Sequence, residues 1–185
     1  MTAYLVATVI VVAAALIVVR FAWTYIRLRG TRVVTCPETR QTAAVEIGTA
    51  AAAASGVIGR PRFHLNACSH WPEKAGCGQS CLAEIGQAPA DCLVRTQLER
   101  WYQGKSCAVC RREVGPIDWY DRRPTLLSPE NHPLMWQELK AELLYETLRT
   151  HKPLCFDCYV AETFRQTHPE LVLDNPFASP PPGRA

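Results

Sequence analysis

Nine cysteines stand in this 185-residue chain, and four of them fall into two pairs of equal spacing, Cys107-Ala-Val-Cys110 and Cys155-Phe-Asp-Cys158. A two-residue gap lets both thiolates of a pair turn toward one ion, so two such pairs supply the four soft ligands of a tetrahedral zinc site. A rubredoxin-like iron would accept the same four sulfurs. A redox-active dithiol accounts for one Cys-x-x-Cys pair and leaves the second unexplained. Zinc, as Zn2+ on Cys107, Cys110, Cys155 and Cys158, is therefore the expected cofactor.

Four more thiols form a wider-spaced set: Cys36, Cys68, Cys77 and Cys81. Cys77 and Cys81 are one helical turn apart and can share a face. The set is read as a second metal centre, with His70 or Cys92 as substitute ligands and either a second Zn2+ or an iron–sulfur cluster as its occupant. The competing reading is that some of these thiols pack as small hydrophobes. Cys92 lies near the start of an expected helix, where the helix dipole can favour a thiolate. No His or Asn stands at a nucleophile spacing from it, so it is read as a core cysteine.

Catalytic residues are not expected. The sequence holds no Gly-rich phosphate loop, no Gly-x-Ser-x-Gly elbow, no His-Glu-x-x-His and no Cys-x-x-Cys-His. A catalytic zinc also keeps an open coordination position, which four thiolates would close.

The elements that must position these sulfurs follow from the chain around them. Residues 3–26 are apolar or aromatic apart from Thr8, Arg20 and Thr24. At about 1.5 Å per residue that length crosses a hydrocarbon core of roughly 30 Å. No basic residue precedes the apolar run, unlike a cleavable signal, so residues 1–30 are read as an uncleaved anchor in the lipid bilayer. Arg20, Arg27, Arg29 and Arg32 contribute +4 of a net +3, leaving −1 for residues 36–185. That remainder lacks the surplus of cations a nucleic-acid binder needs, so no nucleic-acid partner is expected. By the positive-inside rule the arginines place the C-terminal region in the cytoplasm of a bacterial-type inner membrane. In that reducing compartment, thiols hold metals more readily than permanent disulfides.

After the anchor, residues 31–103 read as a ββαβ cysteine-containing module followed by two helices. Its strands are 31–36, 42–47 and 62–67, its first helix is 49–58, and the two following helices are 79–85 and 90–102. Residues 104–173 carry the first Cys pair, an expected hairpin at 115–127, an expected helix at 134–148, and a last helix after Cys158. Residues 174–185 form a Pro-rich tail expected to be disordered. The order of knuckle, hairpin and a second Cys pair opening a helix resembles the treble-clef zinc finger, with zinc ribbons as the nearest neighbour, over residues 104–169 at the level of fold. The resemblance implies a structural zinc on the four paired cysteines.

The fold class is α+β: one transmembrane helix followed by small metal-stapled modules. The function expected is a membrane-anchored zinc-binding module that recruits or helps assemble an unidentified protein partner without catalysis. The alternative is a membrane-bound iron–sulfur electron-transfer or thiol redox-sensing protein.

Overall fold

Alanine, valine, leucine and isoleucine fill the first helix on all sides, and α1 (Thr2–Leu28) is long and apolar enough to cross a membrane, with mean hydropathy 2.7 over its best 18 residues. It ends where Arg29 becomes extended and Gly30 adopts φ +118°, a conformation that costs a glycine little. A helix C-terminus leaves carbonyls without partners. Here two arginines supply them: Arg32 donates to Leu28 O at 2.5 Å and Gly30 O at 3.0 Å, and Arg95 donates to Ile26 O at 3.1 Å and Arg27 O at 3.2 Å. Arg32, expected to be a solvated topological charge, is fully buried, and burial lowers its pKa to about 10. The computed structural model describes residues 1–171, so the tail expected at 174–185 lies outside the described residues.

The chain divides into two compact units, Met1–Trp101 with Leu139–Leu148, and Tyr102–Glu138 with Arg149–Ala185. In the first unit, β1 (Arg32–Thr35), β2 (Thr42–Ile47) and β3 (Leu65–Cys68) form an antiparallel sheet in that order. β3 begins three residues later than the expected strand at 62–67 and runs through Cys68. β2 feeds directly into α2 (Thr49–Ile58), the helix expected at those residues. Gly48, not Thr49, caps it, and the Thr49 hydroxyl donates to Ile47 O. The core comprises Val34, Val45, Ile47, Ala52, Leu65 and Ile85. α2 packs along α1, and Gly56 permits the approach: a Cβ there would lie 3.3 Å from Thr24 Cγ2 and 3.2 Å from Pro61 Cγ.

α3 (Leu82–Gln87) and α4 (Val94–Tyr102) are shorter than the helices expected at 79–85 and 90–102. The reason is a competing partner. Residues 92–94 run along the open edge of β1, where Val33 N–H donates to Cys92 O and Val94 N–H to Thr31 O. Cys92 is thus extended, two residues before α4.

In the second unit β4 (Thr125–Leu127) pairs with β5 (Pro133–Met135) and with β6 (Lys152–Leu154), both antiparallel. The hairpin expected at 115–127 is therefore at 125–135. Before it the Asp118 carboxylate accepts the Tyr120 and Asp121 amides, closing a local turn that takes those groups from any ladder. The helix expected at 134–148 is also corrected. Leu134 pairs with Leu126 in the sheet, single 3₁₀ turns follow at Trp136–Glu138 and Ala141–Leu143, and α5 (Leu144–Thr150) is the helical part. α6 (Phe156–Thr167) closes the unit.

Candidate metal centre

Cys107 and Cys110 sit on a tight turn. Cys107 N–H donates to Arg112 O at 2.8 Å, Arg111 N–H donates to Cys107 O at 3.0 Å, and Arg111 takes φ +64° to close the loop. Ser106 and Glu113 form a bridge at its base. The turn is fixed against β6 by the Ala108 amide, which donates to Pro153 O at 2.9 Å. β6 then delivers Cys155, which caps α6 while its carbonyl accepts the Tyr159 amide, and Cys158 follows in the first turn of that helix.

The result is convergence. The ligand atoms of Cys107, Cys110, Cys155 and Cys158 all lie within 4.8 Å of one another, and Cys110 Sγ is 3.7 Å from Cys155 Sγ. A tetrahedron of roughly 2.3 Å zinc–sulfur bonds requires sulfurs about 3.8 Å apart, so the spacing fits one metal ion. Among the described residues no other group of three or more Cys, His, Asp or Glu ligand atoms meets the same condition. Leu127, Leu154, Val114 and Tyr159 pack about the sulfurs.

Electrostatics divide the four thiols. The Arg112 backbone N–H, then its guanidinium, hold Cys110 down to about 6. Burial, followed by the neighbouring thiols, pushes Cys158 well up, and burial raises Cys155 as well. Four thiols this close cannot all ionise without a cation among them, which is what a divalent ion would supply. Arg112 was not singled out by the sequence. Its signal was its position, two residues beyond Cys110, where the turn folds it back onto that sulfur.

Comparison with models of protein families, with curated proteins and with solved structures found no match.

The other expected ligands are placed differently. Cys36 ends β1 at the hairpin turn, Cys68 ends β3, and Cys81 precedes α3, and all three pack against the same core. Burial raises Cys81, and Cys68, Cys77 and Cys36 lie near enough to raise it further. The Thr39 hydroxyl and backbone, with a contribution from His70, hold Cys36 down to about 7. The four share one neighbourhood without closing to the 4.8 Å spacing of the later quartet. His70 Nδ1 is buried there with no hydrogen-bond partner. Cys92 is buried within the core, and burial raises its thiol. His151 and His168, which the sequence offered as donors to the ligands, have Nδ1 on Thr150 Oγ1 at 2.9 Å and on Glu170 Oε1 at 3.4 Å.

Proposed function

We propose that this chain is a single-span membrane protein whose second unit is a treble-clef-like module stapled by one structural Zn2+, and that the stapled surface binds a protein partner without catalysing a reaction. The observation that carries this reading is the closed four-sulfur arrangement. Four thiolates complete a tetrahedral shell, so no coordination position is left for a substrate. The order of elements supports the fold, since knuckle, hairpin β4–β5 and helix α6 follow one another as in a treble clef. Partner binding is supported by α6, which exposes Val160 and Phe164 one turn apart. The apolar α1 followed by arginines supports an anchor with the C-terminal units on the cytoplasmic side.

A second reading is favoured by the crowding of Cys36, Cys68 and Cys77 around Cys81 and by the unpartnered His70 Nδ1. It makes the first unit a metal centre too, either a second Zn2+ or an iron–sulfur cluster in an electron-transfer or redox-sensing protein. A metal would draw these sulfurs closer. Metal analysis and a visible spectrum of full-length protein purified anaerobically test both readings. Zinc with no visible absorption supports the structural module, and its stoichiometry counts the centres. Iron with charge-transfer bands overturns that reading in favour of the second. Protein with no stoichiometric metal overturns both.

A further inference from the structure

Two adjoining hollows lie where α2 meets α1, and they differ in chemistry. One, of about 580 Å³, is lined by Arg20, Arg27 and Arg60 together with Trp23, Thr24 and Gly56. The other, of about 400 Å³, is lined by Ile17, Val18, Phe21, Ala54, Val57 and Ile58. No carboxylate lines either, and among the described residues none of the three arginines belongs to an ion pair. Arg27 lies over the Trp23 ring at 5.1 Å, and Arg20 Nε donates to Gly56 O at 3.2 Å, so two of the cations are held in place. α2 carries no charged side chain, and Ile58 at its end is 96% exposed. A cationic recess joined to an apolar groove has the polarity of a phospholipid: phosphate at one end, acyl chain at the other.

We propose that the cleft between α1 and α2 binds one anionic phospholipid, its phosphate held by Arg20, Arg27 and Arg60 and its acyl chains lying along Ile17, Phe21 and Ile58. The inference rests on the reading of α1 as a membrane span, which brings α2 alongside the last turns of the span, at headgroup depth. Ile17 to Leu28 covers about 16 Å of helix axis, enough to run from the acyl region to the phosphates. Basic recesses beside transmembrane helices on the cytoplasmic face are suited to acidic headgroups, and each arginine near the surface strengthens binding about fivefold.

The test uses full-length protein in detergent micelles doped with equal amounts of dioleoyl phosphatidylglycerol and dioleoyl phosphatidylcholine, with retained lipid counted by native mass spectrometry. One phosphatidylglycerol per chain should be retained, preferred by roughly tenfold or more. Arg60→Gln should lower that retention about fivefold and Arg60→Lys should keep most of it. Ile58→Gln should also lower it, whereas Arg29→Gln, outside the cleft, should leave it nearly unchanged. Equal retention of the two lipids overturns the proposal. An equal loss in Arg29→Gln does so too, because it would mean diffuse attraction rather than a site. Displacement by glycerol 3-phosphate alone would make this a soluble phosphate site and overturn the lipid assignment. Alkaline carbonate extraction separates the two failures: protein released from membranes removes the span itself, while protein that resists extraction yet shows no lipid preference removes only the cleft site.

Discussion

Cys155→Ser takes one sulfur from the quartet and leaves the backbone interactions at that position intact. The residue 155 amide still faces Cys107 Sγ, 3.4 Å away, and its carbonyl still accepts the Tyr159 amide that starts α6. What disappears is the thiolate 3.7 Å from Cys110. Structural zinc on four thiolates contributes about 10 kcal/mol or more to folding, comparable with the whole stability of a small domain at about 5–15 kcal/mol. The second unit buries few large apolar side chains, chiefly Leu126, Leu127, Leu154, Trp136 and Tyr102, and cannot replace such a contribution. The variant should therefore lose its zinc and its protection from hydrogen exchange over residues 104–171. Residues 32–101 should stay protected, because their sheet and core contain none of the four ligands. Exchange mass spectrometry with zinc analysis on the same sample reads both outcomes. Retained zinc together with unchanged protection over residues 104–171 would refute the assignment, and loss of protection in both units would refute the independence of the first.

Other substitutions test other parts of the structure. Arg32→Met leaves the Leu28 and Gly30 carbonyls without their buried donor, and at about 1–3 kcal/mol for each lost partner it should cost the first unit about 2–5 kcal/mol in a denaturant titration. Gly56→Val forces bulk into a gap already 3.2–3.3 Å wide against Pro61 and Thr24, so it should lower stability by about 1–3 kcal/mol and weaken cross-linking between cysteines placed on α1 and α2. In metal-free protein the Cys110 thiol, held to about 6 instead of 9.0, binds its proton more weakly folded than unfolded. Its contribution to stability is thus complete above pH 9 and disappears as the pH falls through 6, a slope that a protease-resistance series should show and Cys110→Ala should flatten. A reporter fused after Pro182 should be active as green fluorescent protein and inactive as alkaline phosphatase, and the opposite pattern would reverse the orientation.

The metal site was legible in sequence because two Cys-x-x-Cys pairs carry their own geometry: each fixes two sulfurs locally, and β6 beside the knuckle only has to bring the pairs together. The anchor and the 42–47 and 49–58 elements were legible for a similar reason, since composition and Gly-Pro punctuation act over short range. Where non-local pairing decided the outcome, the sequence was ambiguous. Leu134-Met135-Trp136 is an apolar run that suits a helix face or a buried strand equally, and the pairing of Leu134 with Leu126 selects the strand. Cys92 has helical neighbours, yet the open edge of β1 claims its carbonyl first. Arg32 is the clearest case: a charge beside a membrane span has a ready topological explanation, and only the three-dimensional position of the α1 carbonyls gives it a second role. The recess formed with Arg20 and Arg27 depends on Arg60, 33 positions from Arg27 and unmarked by any local pattern.

The two guanidinium groups at the end of α1 also determine how the molecule responds to its surroundings. Anchors are commonly joined to their domains by a swivel, so that the domain hangs below the bilayer and samples many attitudes. Here the last turn of the helix is clasped by a residue of β1 and a residue of α4, leaving no slack at the joint. Any change of helix tilt, such as that imposed by a thinner or thicker bilayer, is then transmitted to the β1–β3 sheet as a rotation of similar size. The sheet behaves as the dial of a bilayer-thickness gauge, with the span as its needle and Arg32 and Arg95 as the pin between them.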